Sequence, residues 1–276
     1  MYVEASTPPS RKAVTVPALR EMKAQGSRIT MLTAYDASFA AQLERAGVDI
    51  ALVGDSLGMV VQGHKSTLPV TLEHMVYHTA LVARALKATL LIADLPFMAD
   101  RDVGYALEAG ARLVGEAGAA MVKIEGAAPH ILEVIAALSA RAIPVCGHVG
   151  LTPQSVHKLG GFRVQGRQQD AAEQVLKHAL AIEAAGADLL VLESVPVALG
   201  ERVTRALGIP VIGIGAGPHC NGQVLVVYDM LGITPGKRPR FSKDFLSGRN
   251  SVAEAIEAYV AEVRNGLFPA AEHGYE

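Results

Sequence analysis

Cysteine is scarce: Cys146 and Cys220 are the only two, and they do not form a CxxC spacing. That leaves no framework for a disulfide-stapled scaffold or a cysteine-ligated zinc site. Charge of one sign is equally absent as a block, with Lys plus Arg at 25 against Asp plus Glu at 27 and a formal net charge of −2. Phosphate-backbone binding needs a concentrated basic surface, so nucleic acid is not an expected partner. The longest purely apolar stretches are strand-length, short of the ~20 residues that span a bilayer. The opening MYVEASTPPSRK has no apolar signal core. No low-complexity tract or interdomain linker interrupts the chain. The expectation is a cytoplasmic protein with reduced thiols and no membrane role.

What is present is a large apolar core with many turns. Half of the 276 residues are hydrophobic, with 27 Gly and 14 Pro, and the mean hydropathy is +0.29. This length suits an α/β barrel of about 250 residues as one domain. Short runs rich in Val, Ile and Leu recur as RITMLTAY, DIALVG, TLLIAD, AMVKIE, IPVCGH, DLLVLES, IPVIGIG and QVLVVYD, with helical patterns between most of them. Apolar runs of this kind read as buried parallel strands. Eight strands alternating with about eight helices favour a closed (βα)8 barrel over a doubly wound sheet.

Three helices end in Ala-Gly immediately before a strand, at Gly47, Gly118 and Gly186, where a helix C-terminus favours a left-handed residue. Phe39, Leu43 and Ala46, and Val175, Leu176, Ala179 and Ile182, keep three- and four-residue apolar spacing. Asp36 and Thr71 suit N-caps, and Pro196 suits a first helical turn. Residues 1–15 read as a loose arm, and residues 250–276 as a final amphipathic helix with a tail.

Five of the apolar runs break off at ionisable side chains: Asp55, Asp94, Lys123 with Glu125, His148, and Glu193. In a barrel, the carboxyl ends of the strands carry the chemistry. Asp55, Asp94 and Glu125 follow strands two, three and four, so closure would bring three carboxylates to one rim. Hard oxygen ligands suit Mg²⁺ better than Zn²⁺, although each carboxylate could equally cap the helix that follows.

Lys123 and Glu125 are two apart in a strand and face the same way. Lys123 can form a Schiff base, hold an anion, or pair with Glu125; the anion-holding role ranks first, because a metal-bound carboxylate substrate needs a neutralising cation. His148 can be a ligand, a proton donor or a satisfied core histidine. Glu193, three strands from the metal group, is placed as a general base across the substrate, with helix capping as the alternative. Ser56 can hold an oxyanion or only cap. GIGAG at residues 213–217 resembles a phosphate-cradling loop but has neither a dinucleotide spacing nor a P-loop Lys, and close backbone packing is sufficient reason for its glycines.

The strings ITMLTAYD, LVGDSLGMVVQGH, STLPVT, VKIEG, GHVGLTPQS, VQGR, VLES, GIGAG and YDMLGI occur in this order over about residues 14–275. In that order they resemble the ketopantoate hydroxymethyltransferase family. The resemblance implies a (βα)8 barrel that moves a hydroxymethyl group from methylenetetrahydrofolate to α-ketoisovalerate through a Mg-stabilised enolate, giving ketopantoate for pantothenate and coenzyme A biosynthesis. By motif match it implies one Mg²⁺ per subunit among Asp55, Asp94 and Glu125. It further implies ketoacid binding by Asp55, Ser56, Asp94, Lys123 and His148, catalysis by Glu193, and a homo-oligomer, the decamer of the family. Lys65 stands where an acid is common and Asn221 where Asp is common, neither at a strand-end carboxylate. The rival readings are a Mg-dependent ketoacid lyase of the isocitrate lyase and phosphoenolpyruvate mutase type, and a non-catalytic metabolite-binding barrel. The KKCGH-like string of the former is absent, and a binder has no need of a base.

Overall fold

In a computed structural model, which describes residues 11–234 and 236–276, all eight strands form where the apolar runs predict them. They are β1 (Ile29–Thr33), β2 (Ile50–Val53), β3 (Leu90–Asp94), β4 (Met121–Glu125), β5 (Val145–Gly150), β6 (Leu189–Glu193), β7 (Val211–Ile214) and β8 (Gly222–Leu225). Every neighbouring pair is parallel, and β8 returns to β1, closing the barrel in sequence order.

Strand residues point alternately to two sides, and both sides are buried. One set, including Met31, Leu52, Ile92, Met121, Cys146 and Val191, fills the barrel interior. The other, including Leu32, Ala51, Leu91, Val122, Val145 and Leu190, packs under the helices. The strands are therefore apolar throughout, until the inward side reaches the C-terminal rim.

The helices are α1 (Val16–Ala24), α2 (Ala37–Ala46), α3 (Leu57–Val60), α4 (Leu72–Ala83), α5 (Val103–Ala111), α6 (Pro129–Ser139), α7 (Val156–Leu159), α8 (Gln169–Ala184), α9 (Val197–Ala206), α10 (Val227–Met230) and α11 (Val252–Arg264). Gly47, Gly118 and Gly186 all have left-handed φ, between 74° and 106°. Asp36 and Thr71 cap α2 and α4 as expected, each accepting from a backbone N–H. Pro196 occupies the N-cap position of α9 rather than its first turn, because its ψ of 144° is still extended.

Of the stretch read as a loose arm, residues 1–10 lie outside the described residues. The remainder is held: Val14 N–H donates to the Ala88 carbonyl, and Arg11 donates to the Gly47 carbonyl at 3.0 Å. Leu19 of α1 then joins the interior cluster, so α1 plugs the end of the barrel opposite the C-terminal rim. At the other terminus α11 buries Ile256, Tyr259 and Val263. The Tyr259 hydroxyl lies 3.0 Å from the Met31 carbonyl and 2.8 Å from the Gln223 carbonyl, across the β1–β8 seam. Cys146 and Cys220 are free and buried, and burial pushes their thiols up to about 12 and about 11.

Candidate active site

Register decides which inward positions meet. Asp94 pairs with Lys123, Glu125 with His148, and Gly150 with Glu193 across successive strands. Asp55 reaches the same layer from the turn after β2. These side chains line one cavity of about 160 Å³ at the C-terminal mouth, together with Ser56, Phe162 and Asp229. Gly150 has a φ of 93°, and a Cβ there would drive into the Glu193 carbonyl. Glycine is thus what lets β5 and β6 bring His148 and Glu193 together.

None of the four carboxylates caps a following helix. The helices after them carry Ser56, Asp102, Ala128 and Pro196 at the N-cap, and the carboxylates turn inward instead. Lys123 Nζ lies 2.5 Å from Asp94 Oδ1, although the angle is too poor for a proper hydrogen bond. His148 is bracketed, Nδ1 3.3 Å from Glu125 and Nε2 3.2 Å from Glu193, with neither nitrogen well aligned on its carboxylate. These are contacts of charge rather than of directed hydrogen bonds.

The electrostatics follow from crowding charges in a dry space. Burial alone disfavours a charged Lys123, but Asp94, Glu125 and Asp55 outweigh it and hold the ammonium well above its ordinary value. Burial and Lys123 also oppose charge on His148, yet Glu125 and Glu193 lift it to about 9. Glu125 is held low because His148 and Lys123 overcome its burial. Asp55 goes the other way: burial, then Asp94 and Glu125, push its carboxyl well up. Counting Asp229, five carboxyl groups line the cavity against Lys123 and His148, and the crowding of Asp94 and Glu125 adds to burial in raising Asp55.

One oxygen of each candidate metal carboxylate is held by a neutral N–H. Asp55 Oδ2 accepts from the Gln154 side chain at 2.9 Å, Asp94 Oδ2 from Asp55 N at 3.0 Å, and Glu125 Oε2 from Gln154 N at 3.0 Å. Among the described residues no three such side chains already form a closed metal-ligand cluster; Lys123 lies against Asp94 instead. The donor set nonetheless fits a hard divalent cation, being all oxygen and buried.

The candidates of the sequence reading thus converge on one cavity. Ser56 hydrogen-bonds the buried Tyr35 hydroxyl at 2.8 Å through its Oγ, and makes no side-chain cap to α3. GIGAG builds no anion cradle: Gly215 backs onto Phe241 and Tyr275, and Gly217 onto Val197. Lys65 is exposed. Asn221 accepts from Val211 N at the start of β7, the end of the barrel remote from the cavity. Three residues escaped the strand-end criterion. Gln154 and Tyr35 act through partners on other strands, and the buried Asp229 follows β8 on a helix; all three do lie within the quoted strings.

A family model described as ketopantoate hydroxymethyltransferase matches residues 13–271. The chain is 55% identical over 268 residues to a 3-methyl-2-oxobutanoate hydroxymethyltransferase of Alkalilimnicola ehrlichii, covering 97% of this chain and 96% of the relative. It is 56% identical to the protein of the same name from Burkholderia mallei, covering 96% and 97%. Among solved structures, a phosphonopyruvate hydrolase in complex with oxalate and Mg²⁺ superposes with a TM-score of 0.59 at 16% identity, covering 91% of this chain and 97% of that one. A 2,3-dimethylmalate lyase of the PEP mutase/isocitrate lyase superfamily gives 0.56 at 19%, covering 81% and 84%. At such identities these two carry the fold alone.

Proposed function

The chain belongs to the ketopantoate hydroxymethyltransferase family and is a transferase of the pantothenate pathway that forms ketopantoate; from that premise we propose how its cavity performs the reaction. The acceptor is α-ketoisovalerate and the donor methylenetetrahydrofolate. The observation that carries the proposal is the buried layer of Asp55, Asp94 and Glu125 in one cavity with Lys123, whose Nζ lies 2.5 Å from Asp94. Asp55, Asp94 and Glu125 would hold one Mg²⁺, and the cation would supply Lewis-acid polarisation of the ketoacid.

Lys123 neutralises negative charge that grows on the keto oxygen. Paired with Asp94, it stays protonated and is a poor amine nucleophile. Ser56, its Oγ fixed by Tyr35, donates to the substrate carboxylate. His148 contacts the ketoacid from between Glu125 and Glu193, and with carboxylates facing both ring nitrogens it is not the group that takes the substrate proton. Glu193 removes the proton from the carbon next to the keto group. That carbon forms the new C–C bond to the folate one-carbon unit. Both of the unit's C–N bonds to folate break, water supplies the hydroxyl, and the proton taken by Glu193 and one proton of that water end on the two folate nitrogens. The protein assembles as a homo-oligomer, and the decamer is the form carried over from the family resemblance.

The test is direct. Purified protein with α-ketoisovalerate, methylenetetrahydrofolate and Mg²⁺ should yield ketopantoate by mass, and excess chelator should abolish it until Mg²⁺ is restored. Full turnover in chelator would remove the cation from the proposal while leaving the transferase.

A further inference from the structure

Gln154 lies on the short 3-10 turn Pro153–Ser155 that follows β5, yet it reaches back over three strands. Its side-chain Nε2 donates to Asp55 Oδ2 at 2.9 Å and to the Leu95 carbonyl at 3.0 Å, and its backbone N–H donates to Glu125 Oε2 at 3.0 Å. One residue therefore bridges the ends of β2, β3 and β4. Both carboxylates it touches are buried, at 3% and 8% exposure for Asp55 and Glu125, so few other donors can reach them.

We propose that Gln154 is a positioning residue that sets the cation affinity of this protein, by clamping the carboxylates of Asp55 and Glu125 in one mutual orientation. The inference rests on reading those carboxylates as the cation site. A neutral amide suits this task. It occupies one lone pair on Asp55 and leaves the remaining oxygen sites available, without adding a positive charge that would compete with the cation. The bond from Gln154 to the Leu95 carbonyl fixes the amide itself, so the carboxylate it holds cannot swing. Partners that orient ligands in this way are typically worth 10–100-fold in metal affinity. The backbone arm of the clamp survives any substitution except proline, so a side-chain variant isolates the Asp55 arm.

Gln154→Met keeps the length and apolar stem and removes the amide, and with it both Nε2 hydrogen bonds. Mn²⁺ titration of the otherwise intact protein, read by electron paramagnetic resonance without substrates, should show affinity roughly 10-fold weaker than the parent. The thermal midpoint without metal should stay within a few degrees. In turnover, half-saturating Mg²⁺ should rise by a similar factor, while kcat at saturating Mg²⁺ and the KM for ketoacid change less than about threefold. Gln154→Ala should reproduce the metal defect, and it stands in for the Met variant should that one fail to fold. If both variants fail to fold, Gln154 is structural and the proposal is overturned. Equal or tighter Mn²⁺ binding by a folded variant also overturns it, whereas a parent protein that binds no Mn²⁺ removes the cation reading itself.

Discussion

Glu193 ends β6 with one oxygen 3.2 Å from His148 Nε2, and that contact defines what each can do. With both ring nitrogens of His148 turned to carboxylates, the proposed mechanism gives the substrate proton to Glu193. Glu193→Gln keeps the size of the side chain but cannot take that proton. Ketopantoate formation should fall by about 10²–10⁴-fold, and deuterium exchange at the carbon beside the keto group should fall with it, while ketoacid still binds. A variant that exchanges normally once saturated makes Glu193 a binding residue. Lys123 offers an independent check, because its charge is held by Asp94 at 2.5 Å. Borohydride with α-ketoisovalerate should leave the protein mass unchanged, and a reduced adduct on Lys123 would replace the enolate scheme with a Schiff base. The strand-end residues were legible because an apolar run that stops at an ionisable group must either have a partner or a task. Gln154 was not, since its partner Asp55 is 99 residues away in the chain and its value depends on how the loop after β5 folds back.

The elements were legible for a different reason: strand-length apolar runs and Ala-Gly helix ends are local signals, and local signals survive folding. What escaped were joints between elements made by single side chains. Glu44 on α2 is such a joint. Its carboxylate accepts from the backbone N–H groups of Lys87, Ala88 and Thr89 at 3.1, 3.1 and 3.0 Å, closing the segment that leads into β3. Burial works against the charge, but these bonds outweigh it and hold the carboxyl below its ordinary value. A depressed folded pKa means the stabilisation is fully present above the ordinary value of 4.5 and is lost as pH falls through the folded value. Glu44→Gln should cost about 1–3 kcal/mol in urea unfolding at pH 7, and the gap to the parent should close as the pH falls through the depressed folded value. A gap that stays the same at pH 3 would show that shape and not charge makes the joint.

For the whole molecule, barrel closure brings every named strand-end site residue to one mouth. Self-association has to be argued from the outer surface. Among the described residues no helix is long and apolar enough to cross a membrane. Tyr77 on α4 is 62% exposed and Leu267 after α11 is 64% exposed, both on the helical shell and away from the cavity lining. Large apolar side chains left on such a shell can be covered by further copies, and closed symmetry is the usual way in which identical chains do so without growing into fibres. Static light scattering at micromolar concentration should then report a particle many times the 28.9 kDa chain mass. Tyr77→Lys and Leu267→Lys, made together, should reduce that mass and leave the ketoacid-dependent deuterium exchange largely intact, because they touch no residue of the site. A parent protein that scatters as a monomer sinks the assembly proposal alone. A double variant of unchanged mass keeps the assembly and moves its contacts elsewhere on the shell.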